Sequence, residues 1–376
     1  MSNEFHDHNS GGRQPRFCVL GAGHGGLAMA GHLGLMGYKV NIYNRSESRI
    51  SPIQMMGGIE LSGIIEGFGE ISLATANMAE AVQDTDILMV VVPANGHRFM
   101  AEMVAPHLRD GQIIVLNPGR TGGALEFNSI LRKKMGVTAD VLIGEAQTLL
   151  YASRSINPAQ VRIFGLKNTI PVSALPGKKT AELLQILRPA FPQFVPGDNV
   201  LKTSLDNIGA IFHPALTVLN AARIESTRGE FQFYMEGITS SVAHVLEALD
   251  AERVAVAAAL GIRAMPAREW LYVAYDAAGK SLYDAIRNNH GYKGINAPSV
   301  VDHRYLWEDV PMSLVPIASL GEQLGVPTPT INNIIHLASL MNQTDYWSVG
   351  RTTAKMGLAG LSVAEIRRLA LEGVLQ

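Results

Sequence analysis

The sequence predicts an α/β protein, in which a doubly wound parallel sheet is followed by an all-helical C-terminal domain. The first observation is a series of short apolar runs, at 17–20, 86–92 and 112–116, which alternate with segments of helical spacing. Such runs are typical of parallel strands that are buried on both faces. The second observation is a change near residue 197, beyond which the pattern is helical almost throughout. The third is the length of 376 residues, which suggests two domains of roughly 150 residues or more.

A glycine-rich turn lies between the first predicted strand and the first predicted helix. Gly21, Gly23 and Gly26 have the spacing G-x-G-x-x-G. Gly21 allows the tight turn, Gly23 lets a pyrophosphate approach the backbone, and Gly26 lets the helix pack closely on the strand. The N-terminus of the helix offers free N–H groups and partial positive charge to the phosphates. In this setting the motif predicts a Rossmann domain that binds a dinucleotide, with His24 bordering the pyrophosphate through its backbone.

The residues after the second predicted strand bear on the choice of cofactor. A site that prefers NAD usually carries an acidic residue here, which binds the ribose 2′-hydroxyl. Asn44 and Arg45 occupy this position instead. A carboxylate would repel a 2′-phosphate, whereas an arginine can pair with it through two parallel hydrogen bonds. We therefore predict NADP as the cofactor, and NAD stays open because Arg45 could equally lie solvated over the adenine.

Polar or glycine-rich loops follow the other predicted strands of the sheet. Pro93 begins one such loop, Asn117 begins the loop N-P-G-R-T-G-G, and Glu145 follows the short strand at 141–143. The carboxyl ends of parallel strands form the ligand edge of an open sheet. We therefore expect Pro93 and Asn117 to border the nicotinamide. Ordinary turn residues are the alternative interpretation of each.

We divide the chain into a flexible leader at 1–15, a dinucleotide-binding domain at 16–198 and a helical substrate domain at 199–376. Residues 57–73 alternate as short antiparallel strands do and form an insert in the first domain. The formal net charge of −2 argues against a nucleic-acid partner or an anionic membrane surface. No run approaches the ~20 apolar residues of a membrane helix. The only cysteine, Cys18, falls in a predicted buried strand, which suits the reducing cytoplasm.

A metal site is not expected. His6 and His8 have the spacing of a ligand pair, but two ligands on a mobile leader do not form a site. No other set of histidine, cysteine and carboxylate residues has the spacing of a metal centre. The helical domain offers apolar helix faces that are compatible with a homodimer, although the sequence does not fix the oligomeric state.

One histidine of the helical domain has a setting that suits catalysis. His213 lies in a long apolar stretch and is followed by Pro214. A histidine that moves protons needs a carboxylate to orient its ring, and an anionic substrate needs a guanidinium group. Arg304 and Asp309 could supply both from one segment. A satisfied core histidine is the alternative interpretation.

Several of these segments, taken together, resemble the opine dehydrogenases, which are the octopine and nopaline dehydrogenase family. That family is related in fold to glycerol-3-phosphate dehydrogenase and ketopantoate reductase. The resemblance runs from about residue 16 to the C-terminus, and its most specific parts are the histidine–proline helix and an Arg-x-x-x-x-Asp segment. The segments that carry it are 21–26, 93–97, 117–119, Glu145 with Thr148, 207–214 and 304–311, and it includes 345–346 and 350–351 near the end.

The resemblance implies a reductive condensation that depends on NAD(P)H. An α-keto acid and the amino group of an amino acid form an imine, and its reversible reduction gives a secondary amine dicarboxylate. His213 matches the general acid/base of the family, Asp309 its carboxylate partner, and Arg304 a binder of substrate carboxylate. Asn207 and Glu145 are assigned to substrate binding in the cleft between the domains. A reductase of a keto group, such as a ketopantoate reductase or hydroxy-acid dehydrogenase, and a nucleotide sensor without turnover are the alternatives.

Overall fold

The computed structural model of the protein describes residues 13–373. Most of the predicted leader, with its two histidines, therefore lies outside the described residues. The α/β fold class is confirmed: a mostly parallel sheet occupies the first part of the chain and helices occupy most of the second. In the described range no helix is both long and apolar enough to cross a membrane.

Twelve strands in the described range form two sheets. The larger sheet has eight strands, and the smaller has four. The strands are β1 (Phe17–Leu20), β2 (Val40–Tyr43), β3 (Gly58–Gly63), β4 (Gly67–Glu70), β5 (Leu73–Thr75), β6 (Ile87–Val90), β7 (Ile113–Leu116), β8 (Leu142–Ala146), β9 (Tyr151–Asn157), β10 (Gln160–Leu166), β11 (Ile170–Leu175) and β12 (Phe194–Pro196). The larger sheet has the order β12-β11-β8-β7-β6-β1-β2-β5, in which only β8 and β11 pair antiparallel.

The α-helices of the described range alternate with the strands at first and then follow one another. They are α1 (His24–Leu35), α2 (Glu47–Met56), α3 (Met78–Val82), α4 (His97–Val104), α5 (Gly123–Ser129), α6 (Thr180–Leu187), α7 (Val200–Leu205), α8 (Gly209–Leu219), α9 (Ala221–Thr227), α10 (Ser240–Ala259), α11 (Ala267–Tyr275), α12 (Leu282–Asn288), α13 (Arg304–Trp307), α14 (Val315–Leu324), α15 (Pro329–Met341), α16 (Tyr346–Val349) and α17 (Val363–Glu372). A π-helical turn, Val310–Leu314, leads into α14.

The larger sheet has an apolar core on each face, because successive side chains of a strand point to opposite sides. In β1, Phe17 and Val19 pack with α1, while Cys18 and Leu20 belong to the core that continues into the helical part. Cys18 is fully buried, and burial raises the pKa of its thiol. A buried thiol of this kind is unreactive, as expected for a structural rather than a nucleophilic cysteine.

The smaller sheet packs on α1 and has the order β4-β3-β10-β9. The sequence predicts the hairpin of β3 and β4 within 57–73, but not its partners β9 and β10, which come about 90 residues later. Close packing needs glycine in α1, since a Cβ at Gly31 or Gly34 would overlap Leu61 or the backbone of Glu70. The glycine-rich helix α1 therefore lies between two sheets.

The helices that follow one another begin with α7. Asn199 is the N-cap of α7, and its side chain accepts hydrogen bonds from the backbone N–H groups of Leu201 and Lys202. The last helix, α17, returns to the larger sheet and contacts β11.

Candidate active site

The glycine turn has the shape that a pyrophosphate requires. Gly21 has φ +121°, a conformation that favours glycine, and a Cβ at Gly26 would overlap the carbonyl oxygen of Gly21. A Cβ at Gly23 would have no atom within 4 Å, so the space in front of this residue is open. The N–H groups of the first turn of α1 have no partners within the helix. The turn therefore fits a bound dinucleotide.

His24, the first residue of α1, is held by the smaller sheet. Its Nδ1 accepts a hydrogen bond of 2.9 Å from the backbone N–H of Ser155. Partial burial and the nearby guanidinium groups of Arg154, Arg49 and Arg304 lower the pKa of His24. The ring is thus a neutral anchor, and cationic side chains surround the phosphate-binding turn.

The carboxyl end of β2 offers a cation rather than a carboxylate. Arg45 is exposed, and its guanidinium lies over the ring of Phe99, 5.8 Å from the ring centroid. Asn44 donates its backbone N–H to the carbonyl of Thr75. The position where an acidic residue would bind a ribose 2′-hydroxyl therefore presents Asn44 and Arg45 to the solvent.

The loops after β6 and β7 lie at the same edge of the sheet. Pro93 is exposed, whereas Asn117 is buried and donates from its side chain to the carbonyl of Val115 at 2.9 Å. The Oδ1 atom of Asn117 is buried without a hydrogen-bond partner among the described residues. An unpaired buried acceptor at this edge fits a ligand that carries an N–H donor.

His213 and Asp309 form a hydrogen-bonded pair, although 96 residues separate them. His213 lies in α8, and its Nδ1 is 2.9 Å from Oδ2 of Asp309. An ionised carboxylate can only accept, so Nδ1 carries the proton and Nε2 remains for a substrate. The imidazole stacks on the ring of Tyr305, with centroids 4.3 Å apart. Two contacts therefore fix the orientation of the ring.

Arg120, which the sequence does not single out, completes this pair. Its Nη1 lies 3.2 Å from Oδ1 of Asp309, and its Nε lies 3.5 Å from Oε1 of Glu308. Burial alone raises the pKa of Asp309, but Arg120, the hydrogen bond from His213 and the more distant Arg304 outweigh it, and the pKa is lowered. Asp309 therefore stays ionised beside the histidine.

Glu308 joins the two arginines of the site. Its Oε2 accepts a hydrogen bond of 2.8 Å from Nε of Arg304, and its Oε1 accepts one from the backbone N–H of Ala94. Glu308 is buried, whereas the side chain of Arg304 is 46% exposed. The buried carboxylate thus orients a guanidinium group that still faces solvent.

Asn207 lies beside the catalytic candidates, at the start of α8. A Cβ on Gly209 would be 3.1 Å from Nη1 of Arg120, 3.3 Å from Cε1 of His213 and 3.4 Å from Oδ1 of Asn207. The amide of Asn207 donates to the hydroxyl of Ser313 at 2.9 Å. The three polar side chains therefore converge around a glycine that leaves room between them.

Glu145 does not face the cleft, which corrects its assignment to substrate binding. Its side chain is buried, and Oε1 accepts hydrogen bonds from the hydroxyls of Thr203 and Ser204 at 2.6 and 3.0 Å. Oε2 accepts one from the backbone N–H of Ala124 at 2.9 Å. Both oxygens are taken by protein donors, so Glu145 connects β8 to α7 and α5.

Lys167 is a further cation that sequence reasoning missed. Its ammonium group donates to the hydroxyl of Thr148, which follows β8 at the ligand edge of the sheet. Desolvation and the guanidinium of Arg120 lower the pKa of Lys167 to about 8. In contrast, the ammonium group of Lys202 pairs with Asp206.

Two family models match the chain. Residues 16–141 match the N-terminus of NAD-dependent glycerol-3-phosphate dehydrogenase, and residues 196–342 match the alpha-helical domain of NAD/NADP octopine/nopaline dehydrogenase. The first range holds the glycine turn, and the second holds the paired histidine and aspartate.

Individual proteins match over nearly the whole length. An opine dehydrogenase of Arthrobacter sp. (strain 1C) is 41% identical over 352 residues, which are 93% of this chain and 97% of the relative. Octopine dehydrogenase with NADH and L-arginine shares the fold, with a TM-score of 0.79 at 21% identity over 96% of this chain and 99% of that chain. Yersinopine dehydrogenase with NADP⁺ bound has a TM-score of 0.72 at 15% identity over 91% and 95%. The protein therefore belongs to the opine dehydrogenase family.

Proposed function

We propose that this NAD(P)-dependent oxidoreductase condenses an α-keto acid with the amino group of an amino acid and reduces the resulting imine to an opine. The observation that carries the proposal is the paired His213 and Asp309, beside two arginines at the ligand edge of a dinucleotide-binding sheet. When bound, the nicotinamide supplies the hydride that the imine carbon receives. The residues of the chain supply binding, orientation and proton transfer.

His213 is the proposed general acid/base. Condensation needs an uncharged amine, so Nε2 takes a proton from the substrate ammonium group. The same nitrogen then returns a proton to the hydroxyl group that leaves as water. Asp309, bonded to Nδ1, holds the ring and stabilises its charged form. A positioned acid/base of this kind contributes typically ~10²–10⁴-fold to the rate.

The cations of the site are proposed to hold the two carboxylates of the imine. Arg304, oriented by Glu308 and half exposed, suits one carboxylate. Arg120 suits the other, with Asn207 close to its guanidinium. Lys167 adds positive charge, which matters because Glu308 and Asp309 already balance the two arginines.

The residues present fit a dinucleotide. Gly21 and Gly26 allow the turn, Gly23 faces open space for the pyrophosphate, and the free Oδ1 of Asn117 suits the carboxamide N–H of a nicotinamide. We propose NADP as the preferred cofactor, on the support of Arg45 and of the missing carboxylate after β2. Among related structures, octopine dehydrogenase holds NADH and yersinopine dehydrogenase holds NADP⁺.

Three further proposals concern the whole molecule. The division at 198/199 is supported by the cap of Asn199 at the start of α7. A homodimer is supported by Leu337, Leu340 and Met341, which expose apolar side chains on one face of α15. The cytoplasm suits a chain whose only cysteine is buried and unpaired.

The function is tested by following NADPH and NADH oxidation across a grid of α-keto acids and amino acids. We expect oxidation only when one member of each class is present, with a higher kcat/KM for NADPH. Oxidation with a keto acid alone would favour the reductase of a keto group. Cofactor binding without turnover at any point of the grid would favour the nucleotide sensor.

Replacement of Arg45 by aspartate is expected to raise the KM for NADPH by about 10–100-fold, since a charge-assisted hydrogen-bonded pair is worth about 1.5–3 kcal/mol. The KM for NADH should change little. Steady-state kinetics with both cofactors measure the ratio. Arg162→Asp is the matched control, because Arg162 also lies over an aromatic ring but in the smaller sheet. Equal losses with NADH and NADPH would show that Arg45 does not contact the 2′-phosphate.

A further inference from the structure

Arg351 is wholly buried, and its side chain donates hydrogen bonds to the loop that carries Arg120. Its Nη1 donates to the carbonyl of Thr121 at 2.8 Å and to the carbonyl of Gly119 at 3.3 Å. These carbonyls belong to the two chain neighbours of Arg120. Arg120 itself has φ +58°, a left-handed conformation that residues with a side chain rarely adopt. One guanidinium group therefore holds both ends of a strained residue of the site.

Arg351 also contacts two other segments that border the site. Its backbone N–H donates to the carbonyl of Pro311, two residues after Asp309. Its Nη2 lies 3.2 Å from Nδ1 of His97, in the segment that follows Pro93. Burial and the guanidinium groups of Arg351 and Arg120 hold the pKa of His97 well below its usual range, so the neutral ring can accept this bond. Three segments that surround the site thus meet at one residue.

A carboxylate fixes the orientation of the guanidinium group of Arg351. Nε donates to Oε2 of Glu126 at 2.6 Å, and Glu126 is buried in α5. Arg98 donates to the other oxygen of Glu126 and to the carbonyl of Gly350. Neither of these two bonds of Arg98 reaches the loop of Arg120. The two arginines share one carboxylate but differ in their contact with the site.

We infer that Arg351 is a positioning residue of the active site, which aims Arg120 at Asp309 by fixing the backbone on both sides of Arg120. This inference rests on the proposed function. A lysine at position 351 would keep the charge, but its single nitrogen could not reach the acceptors that lie around Nε and Nη1 of the arginine, namely Glu126, Gly119 and Thr121. The loop would relax, and the contact between Arg120 and Asp309 would lengthen.

The test compares Arg351→Lys with Arg98→Lys in the full-length protein. Arg351→Lys should lower kcat/KM for the condensation by about 10–100-fold, as expected when a reacting group is misplaced by about 1 Å. The dissociation constant for NADPH should stay within about threefold, since the glycine turn is untouched. Arg98→Lys should keep kcat/KM within about twofold and serves as the control for loss of one Glu126 partner.

Two further measurements distinguish a positioning role of Arg351 from a contribution to stability alone. If Arg351 acts through Arg120, the double variant Arg120→Lys with Arg351→Lys should lose little more activity than Arg120→Lys alone. The pH profile of kcat/KM should shift in the same direction in Arg120→Lys and in Arg351→Lys, because both substitutions weaken the contact of Arg120 with Asp309. Additive losses, or equal losses of activity and melting temperature in Arg351→Lys and Arg98→Lys, would overturn the inference. Absence of condensation in the wild-type protein would instead contradict the proposed function.

Discussion

His213→Gln is expected to lower kcat for the condensation by about 10³-fold, within the range that a positioned acid/base contributes. Glutamine keeps a polar side chain of similar length but cannot exchange a proton near neutral pH. The dissociation constant for NADPH should hardly change, because His213 lies in α8 and the glycine turn precedes α1. Steady-state kinetics and fluorescence titration of NADPH measure the two quantities.

His303→Gln is the matched control for His213→Gln. His303 also contacts the ring of Tyr305, with centroids 4.5 Å apart, but it has no hydrogen bond to Asp309 among those described. We expect a loss of less than about tenfold, since no proton transfer is removed. A similar loss in both variants, or a collapse of cofactor affinity in His213→Gln, would contradict the role assigned to His213.

Arg120→Met is expected to reduce both activity and stability. Removing one partner of a buried ion pair leaves an uncompensated charge and typically costs about 3–5 kcal/mol. Here the charge left behind is Asp309, which is fully buried. We expect kcat/KM to fall by at least about 10²-fold, because Asp309 loses its charge partner and the substrate loses a guanidinium that binds its carboxylate.

The loss of stability in Arg120→Met should depend on pH in a defined direction. In the wild-type protein the pKa of Asp309 lies below its usual range, so the pair stabilises the fold above about pH 4 and this contribution fades as the pH falls. In Arg120→Met the guanidinium no longer opposes the effect of burial, so the pKa of Asp309 is higher than in the wild-type protein. The difference in free energy of unfolding should therefore be largest near pH 7 and shrink towards pH 4.

Urea denaturation between pH 7 and pH 4 measures this difference. Arg304→Met is the control, because its side chain is 46% exposed whereas that of Arg120 is 14% exposed. We expect it to raise the KM of an anionic substrate and to destabilise the fold less than Arg120→Met does, because solvent screens Arg304 and Glu308 keeps Arg120 and the backbone N–H of Ala94 as partners. Equal destabilisation by the two variants would contradict the central place given to Arg120.

Local patterns predict five strands of the larger sheet, β1, β2, β6, β7 and β8, because each depends on neighbouring residues. The glycine turn, α1 and the second strand are recognisable from spacing alone. The strands β9 and β10 are not, since they join the smaller sheet only through the pairing of β10 with β3, which lies about 100 residues earlier. The burial of Glu145 is equally hidden, because Thr203 and Ser204 come nearly 60 residues later.

Contacts between distant residues of the active site are also not predictable from local patterns. Residue type and local setting single out His213, Arg304 and Asp309, but only the resemblance to a family joins them into one site. Arg120 lies in a loop whose glycines and proline indicate an ordinary turn, and its carboxylate partners follow almost 190 residues later. A lone arginine beside a strand end is the one signal that could have suggested it.

The return of α17 to the larger sheet limits how the cleft can open. In the described residues the chain passes from the sheet to the helices before α7 and comes back ahead of α17, so two covalent connections join the parts. With two connections, the sheet and the helices can rotate about the line that joins the connections, but they cannot slide or twist freely. We therefore expect ligands to enter and leave by a hinge motion about that line.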